Sequence, residues 1–377
     1  MSSKKNKFTK TDKLFMEIAL DLARSRQGLT GTNPSVGCVI VKNNNIISIG
    51  QTSYNGRPHA EFNAIKNCNE KLSGAKMYVT LEPCNHQGVT PPCTNEIIKS
   101  KISEVVYALE DTDKRVRKKS FKILKSHKIN VSIGLLKDKV KKFYNPYFFN
   151  RKNKKPFVTG KIAISKNKLI YSKFKTKITN QYSDKFTHLL RYKNDSILTT
   201  SKTINIDNPK LNCRIKGFEK FSPVRIILDN NLSLNTNTYI FKSANIKNTI
   251  VFYNQANKSR ISIFKKKKIG LIKAKLKNSK QLDLRPIMKK LYSLGFRNTL
   301  VEGGDLLTTN LLKNKIFNEF YLFKSQKKLP TNSDFVKFNG LNILSKKYPF
   351  RQNLNSSYGK DTICLLYTSD AADDWSS

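Results

Sequence analysis

Pro58-His59-Ala60-Glu61 and, twenty residues on, Leu81-Glu82-Pro83-Cys84-Asn85-His86-Gln87-Gly88-Val89-Thr90-Pro91-Pro92-Cys93 decide how this chain is read. They bring one imidazole, two thiols and a carboxylate into play around strand and helix signals. Met77 to Leu81 is an apolar β-rich run leading straight into Cys84, and Pro92 to Lys99 reads as a helix with proline in its first turn. Residues 60–70 read as another helix, so His59 and Glu61 fall at a helix opening and Cys93 in the first turn of a second. A helix N-terminus carries partial positive charge and favours thiolate over thiol, which suits metal binding at Cys93. His59, Cys84 and Cys93 offer three ligands, leaving a tetrahedral zinc one open position for water. That is the arrangement of a catalytic site.

Taken singly, His59 is most simply a surface histidine and each cysteine a small core residue. Their conjunction with Pro83 beside Cys84 and Pro91-Pro92 before Cys93 points instead to a zinc deaminase, with Glu61 as the proton shuttle and not a ligand. In such chemistry an amine on a pyrimidine-type ring is exchanged for a carbonyl.

Outward from these segments the pattern stays α/β. Leu14, Phe15, Ile18, Ala19 and Leu22 recur at helical spacing after Thr11-Asp12, which can cap the start. Val36 to Val41 and Ile46 to Ile49 read as strands joined by Lys42-Asn43-Asn44-Asn45. Val105 to Leu109, a helix near 116–127 and Val131 to Ile133 extend the alternation, which implies a sheet covered by helices. The pattern breaks at Asn145-Pro146 and again at Arg151-Lys152-Asn153-Lys154-Lys155-Pro156, and the domain boundary is expected there. A second alternation follows, with strands at 157–164, 195–199, 224–228, 249–253 and 298–301 and helices at 180–193, 283–294 and 305–313. No internal repeat is visible.

The chain has 377 residues, enough for two domains, and 38% are hydrophobic, enough for two cores. Its formal charge of +45 would attract anions, nucleic acid or phosphorylated small molecules alike. The excess is mostly lysine interspersed with asparagine, in runs such as Lys265-Lys266-Lys267-Lys268, and reads as solvated surface. Cys38, Cys68, Cys213 and Cys364 are scattered and fit a reducing, cytoplasmic setting. The charges in Lys13-Leu14-Phe15-Met16-Glu17 rule out the apolar core of a signal peptide, and no apolar run approaches the ~18 residues of a membrane span. Asp370-Ala371-Ala372-Asp373-Asp374-Trp375-Ser376-Ser377 reverses the charge bias, and residues 367–377 are expected to be a tail foreign to the rest.

Asn33-Pro34-x-Val36-Gly37-Cys38-Val39-Ile40-Val41, Pro58-His59-Ala60-Glu61 and Leu81-Glu82-Pro83-Cys84-x-His86-x-Gly88-x-Thr90-Pro91-Pro92-Cys93 resemble the bifunctional deaminase-reductases of riboflavin biosynthesis, the RibD family. The eight residues between Cys84 and Cys93 are specific to it, since transfer-RNA and cytidine deaminases carry the short Cys-x-x-Cys. The resemblance runs from about residue 12 to about 366. It implies a cytidine-deaminase-like α/β/α sandwich over 1–150, followed over 151–366 by an α/β domain similar to dihydrofolate reductase. It implies about one zinc per chain and deamination of a diamino-pyrimidinone bearing a phosphoribosylamino group. The ribosyl part would then be reduced by NADPH to a ribityl phosphate. Asn33 and His86 would contact substrate in the first domain.

In the second half, Lys161-Ile162-Ala163-Ile164-Ser165 matches the family reductase's opening strand, and the spacing from Arg191 through Thr203 and Asp207 to Arg214 fits without a gap. By that match Arg191, Leu211, Arg214 and Glu302 would meet substrate, and Lys161 is a candidate catalytic group. Ile164, Lys177, Thr203, Asp207, Asn230, Gly304, Asp305 and Leu306 would meet NADPH. Two arginines suit a phosphate gripped by bidentate hydrogen bonds. Thr299-Leu300-Val301-Glu302-Gly303-Gly304-Asp305-Leu306 reads as strand, glycine turn and helix start, where backbone N–H groups can approach a phosphate. The chain also departs from the family: Gln87 and Val89 stand where an aromatic or histidine and a cation are usual, Lys166-Asn167-Lys168 replaces Leu-Asp-Gly, and Lys177 replaces a tryptophan. The expected partner is a small phosphorylated pyrimidine, with neither membrane nor nucleic acid, and a homo-oligomer is left open. The competing readings are a deaminase acting on nucleic acid through a basic second half, and a deaminase whose reductase domain survives only for packing.

Overall fold

Thr9 opens the first helix, α1 (Lys10–Ser25), through a reciprocal cap: its hydroxyl accepts from the Asp12 N–H at 3.0 Å, and the Asp12 carboxylate accepts from the Thr9 N–H at 2.8 Å. The cap is therefore two residues earlier than Thr11-Asp12, and Asp12 is its inner partner. The other Asp12 oxygen takes Lys76 Nζ at 2.9 Å and Tyr78 OH at 2.5 Å, tying the helix to the sheet. The buried stripe is Phe15, Met16, Ala19, Leu20 and Ala23, while Leu14 is 54% exposed. The computed structural model describes residues 8–113, 115–172, 177–278, 281–332, 334–354 and 358–367, so the tail beyond Tyr367 lies outside the described residues. The chain divides into two compact units after Asn153.

In the first unit, β1 (Gly37–Lys42) and β2 (Asn45–Gln51) form a hairpin whose turn residues Asn43 and Asn44 both have positive φ, the type that matches strand twist. There follow α2 (Ala60–Lys66), β3 (Lys76–Leu81), α3 (Cys93–Lys99), β4 (Glu104–Leu109), α4 (Lys119–Ser126), β5 (Asn130–Ile133) and α5 (Lys137–Asn153). The sheet order is β2-β1-β3-β4-β5, parallel from β3 to β5. Two glycines show how it is sandwiched. A Cβ on Gly37 would lie 1.9 Å from the Ala19 carbonyl oxygen in α1, and one on Gly50 would lie 2.1 Å from that of Ala60 in α2. Gly50 pairs with Cys38, so the two glycines face opposite ways and α1 and α2 cover opposite faces.

The expected break at Asn145-Pro146 is overturned: α5 runs through Pro146 to Asn153. Proline cannot donate to the Lys142 carbonyl, a local cost. Against it stands Tyr144, fully buried in the core, whose hydroxyl donates to the Ser35 carbonyl at 2.9 Å and lies 2.7 Å from Thr80 Oγ1. Tertiary packing outweighs propensity here.

The second unit contains, in order, β6 (Phe157–Ile164), β7 (Leu169–Ser172), α6 (Gln181–Tyr192), β8 (Ser196–Thr200), α7 (Ser201–Asp207), β9 (Val224–Leu228), α8 (Tyr239–Ser243), β10 (Thr249–Tyr253), α9 (Lys258–Lys266) and β11 (Gly270–Lys273). Next come β12 (Leu276–Asn278), β13 (Gln281–Leu282), α10 (Leu284–Ser293), β14 (Asn298–Glu302), α11 (Asp305–Lys313), β15 (Glu319–Lys324), β16 (Phe335–Lys337), α12 (Leu341–Lys347), β17 (Phe350–Asn353) and β18 (Thr362–Tyr367). Nine strands make one sheet in the order β11-β10-β9-β8-β14-β6-β15-β18-β17. It is parallel from β11 to β15, and β18 and β17 add antiparallel at the edge. Leu198 and Ile226 belong to one buried cluster and their neighbours Ile197 and Ile227 to another, so both faces are covered. Strand β14 returns from the far half of the sheet to lie between β8 and β6, and ligands of parallel sheets bind at the carboxyl ends of strands near such reversals.

Candidate active sites

His59 is the N-cap of α2 and Glu61 lies in its first turn, 3% exposed. Cys84 follows β3 and Cys93 opens α3. The three candidate ligand atoms lie within 4.8 Å of one another, with His59 Nδ1 at 3.5 Å from Cys84 Sγ and 3.4 Å from Cys93 Sγ. The Cys93 N–H donates to Cys84 Sγ at 3.3 Å and the Thr94 N–H to the Cys84 carbonyl at 3.1 Å, so the start of α3 holds the second thiol in place. Hydrogen bonding from Cys93 and the nearby His59 hold the Cys84 thiol low, while the contact with Cys84 together with burial pushes Cys93 up, so the thiol favoured as thiolate is Cys84 and not, as the helix start suggested, Cys93. Burial raises the Glu61 carboxyl to about 7, and the charge of His59 holds it back from going further. One imidazole and two soft sulfurs in a cluster of this size fit zinc by donor chemistry.

Asn33 reaches this region by donating from Nδ2 to the Gly56 carbonyl at 3.1 Å, three residues before His59. His86, in the loop between the cysteines, has its Nδ1 buried without a partner among the described residues. Such an atom is available to a ligand or a water.

The second unit gathers Lys161, Arg191 and Glu302. Lys161 on β6 pairs in register with Glu302 on β14. Arg191, in the last turn of α6, grips Glu302 with both branches, Nε to Oε1 at 2.7 Å and Nη2 to Oε2 at 3.0 Å. Burial opposes ionisation of Glu302, but the Arg191 charge and its two bonds outweigh it and hold the carboxyl below its usual range. Burial lowers the Lys161 ammonium, against the pull of Glu302. Arg191 also donates through Nη1 to the Asn212 carbonyl at 3.2 Å, while the exposed Arg214 donates to Asn212 Oδ1 at 3.0 Å. Leu211 beside them is buried with φ +48°.

The expected two-arginine grip is corrected by this geometry. The Arg191 fork is filled by Glu302, so of the pair only Arg214 presents an exposed guanidinium.

Thr203, on α7, is braced by Thr200, and its Oγ1 lies 3.8 Å from where a Cβ on Gly304 would be. That places α7, which ends at Asp207, beside the N-terminus of α11. Leu306 is 70% exposed there. The Asp305 carboxylate is engaged by Asn339 N–H and Nδ2, both at 2.8 Å, and by Thr309 at 3.1 Å. Ile164 belongs to the core cluster on one face of β6, whereas Lys161 lies over the Phe323 ring on the other. Lys177 is ion-paired with Asp184, and the Asn230 carbonyl accepts from the N–H groups of Asn254 and Gln255 just beyond β9.

Sequence reasoning missed His188. It stands one helical turn before Arg191, and its Nδ1 is 3.2 Å from the Asn212 carbonyl and 3.3 Å from the Arg214 N–H. Burial and the two arginines push it down to about 4. Its spacing from Arg191 at i, i+3 was the available signal.

Comparison with known proteins matches the cytidine and deoxycytidylate deaminase zinc-binding region to residues 9–109 and the RibD C-terminal domain to residues 170–325. The riboflavin biosynthesis protein RibD of Aquifex aeolicus is 34% identical over 357 residues, 94% of this chain and 98% of that protein. Its counterpart in Actinobacillus pleuropneumoniae is 33% identical over 322 residues, 85% of each. Among solved structures, Acinetobacter baumannii RibD superposes with a TM-score of 0.81 at 25% identity, covering 95% of this chain and 99% of that one. A Thermotoga maritima diaminohydroxyphosphoribosylaminopyrimidine deaminase/5-amino-6-(5-phosphoribosylamino)uracil reductase does so with a TM-score of 0.80 at 28% identity and the same coverage. This chain belongs to the RibD family of riboflavin biosynthesis, a zinc-dependent deaminase domain followed by an NADPH-dependent reductase domain.

Proposed function

We propose that the two sites act in turn on one phosphorylated pyrimidine. The first converts 2,5-diamino-6-(5-phosphoribosylamino)pyrimidin-4-one to its deaminated product, and the second reduces the ribosyl chain of that product to ribityl phosphate. The observation that carries this reading is the cluster of His59, Cys84 and Cys93 with Glu61 buried alongside. Those three residues would hold zinc, which when bound would supply the Lewis acidity that brings a water to a pKa of roughly 7. Glu61 takes a proton from the attacking water, passes it to the neighbouring ring nitrogen, and returns a proton to the amine, which leaves as ammonia. The water oxygen becomes the new carbonyl. Asn33 and His86 line the approach and hold the substrate.

In the second site bound NADPH would supply a hydride to the ribose C1′. As the bond from the ribose C1′ to its ring oxygen opens, that oxygen needs a proton. Lys161, half-buried beside Glu302 with its ammonium lowered, gives it. Arg191 fixes Glu302, Arg214 takes the phosphate, and Thr203, Asp207 and the Gly304–Leu306 turn lie along the cofactor.

Partner and setting follow from the same features. The substrate is small, and nucleic acid is not needed. Among the described residues no helix is long and apolar enough to cross a membrane. All six cysteines are free, which supports a reducing, cytoplasmic setting.

The test is mass spectrometry of the phosphoribosylamino-pyrimidine incubated with the protein, with and without NADPH. The expected record is a deamination shift in both samples and a further two-hydrogen gain only with NADPH. No deamination shift from zinc-loaded protein would refute the reading.

A further inference from the structure

We infer that Arg57 is the anion-binding residue of the deaminase site and receives the substrate's phosphate, an inference that rests on the deamination just proposed. Arg57 lies two residues before His59, and its backbone is held on both sides. The Ser53 N–H donates to the Pro58 carbonyl at 3.0 Å, and Asn33 Nδ2 to the Gly56 carbonyl at 3.1 Å. Gly56 has φ +89°, and a Cβ there would fall 2.5 Å from Asn33 Nδ2 and 2.6 Å from the Thr30 carbonyl oxygen, so only glycine lets the segment pass. The side chain then crosses to the loop between the two cysteines. Its Nη1 donates to Thr90 Oγ1 at 2.5 Å, and its Nη2 is 3.0 Å from the place a Cβ on Gly88 would take.

Arg57 therefore lies along the loop at Gly88, pinned at one corner, and ties the segment that carries His59 to the loop between the two cysteines. A guanidinium has five donors, and this one spends a single bond on a neutral hydroxyl. No carboxylate pairs with it among the described residues, although it is half-buried. A half-buried cation without a counter-ion is costly, and an anion that completes it is bound correspondingly well. Of the loop side chains on either side of Gly88, Gln87 is neutral and Val89 is 88% exposed. A phosphate monoester matches the two remaining branches of the fork in the bidentate way that favours arginine over lysine.

The alternative role for Arg57 is to brace the loop, and kinetics separate the two. Zinc content and deamination are measured for wild type, Arg57→Ala and Arg57→Lys, on the phosphorylated substrate and on its dephosphorylated riboside. Arg57→Ala is expected to keep zinc and kcat and to raise KM for the phosphorylated substrate about 10- to 100-fold, with KM for the riboside unchanged. Arg57→Lys should fall between, and Val89→Arg added to Arg57→Ala should restore part of the preference. An equal rise in KM for both substrates, or no rise for either, overturns the inference. Should Arg57→Ala lose zinc, Arg57→Lys decides by the same ratio: a selective rise upholds the assignment and an unchanged ratio sinks it. A wild-type protein inert on both substrates would instead refute the proposed deamination, a result distinct from any of these.

Discussion

The two sites of this chain are built in opposite ways. The metal cluster and its carboxylate come from two short segments of unusual residues, His59 to Glu61 and Cys84 to Cys93, each anchored to a helix start. The reductase cluster takes Lys161 from β6, His188 and Arg191 from α6, Glu302 from β14 and others from the loop that holds Leu211 to Arg214, and its members are an ion pair, a lysine and a histidine. A set of one imidazole and two thiols at this spacing is rare in any chain, whereas lysine and arginine abound in a chain of net charge +45. Chemistry concentrated in rare residues can be read locally. Chemistry assembled from common residues can be read only after folding.

Variants that act on one side only would sharpen that contrast. Glu61→Gln is expected to have the largest effect, cutting deamination by about 10²- to 10⁴-fold while zinc content and NADPH oxidation on supplied intermediate stay normal. Retained deamination would break the assignment of the shuttle. Arg191→Ala should come next. It leaves the largely covered Glu302 carboxylate, 14% exposed, without its bidentate partner, which costs up to about 3 kcal/mol in the second unit. Calorimetry should show the loss in one transition, with reduction failing before deamination does.

Asp12→Asn probes the first unit. Burial pushes the Asp12 carboxyl up, but hydrogen bonds from Tyr78, the Thr9 N–H and Lys76 outweigh it and hold it below the usual carboxylate range. A folded-state pKa below the unfolded one means that ionised Asp12 stabilises fully above pH ~4 and loses its effect as pH falls through the folded value. The substitution should therefore cost about 1–3 kcal/mol at pH 7, and the two proteins should converge in strong acid. A gap that stayed constant with pH would show that packing, not charge, carries the contact. Arg214→Ala should be mildest, raising KM for the phosphorylated intermediate about tenfold with KM for NADPH unchanged; equal rises would mean the residue is misassigned.

The same contrast governs what could be read from sequence. The hairpin turn at Asn43-Asn44, the strand before Cys84 and the helix beginning at Cys93 carry strong local signals and stand within a residue or two of where they were expected. Pro146 misled because its local penalty is visible in sequence and the burial of Tyr144 that offsets it is not. In the second unit the register that brings Lys161 beside Glu302, and the closing of the Arg191 fork on that carboxylate, depend on β14 returning between β8 and β6. Nothing in the local sequence announces such a return. The edge strand β17 lacks a distinctive pattern for the same reason: its four residues are exposed and its one partner is chosen by topology.

The independence of the two sites can be tested in a single measurement: metal-depleted protein is assayed for ammonia release from the diamino substrate and, in parallel, for NADPH oxidation with the deaminated intermediate. The account predicts that ammonia release is abolished, returns on adding about one zinc per chain, and leaves NADPH oxidation at its original rate throughout. Undiminished ammonia release without metal, or loss of both activities together, would contradict it.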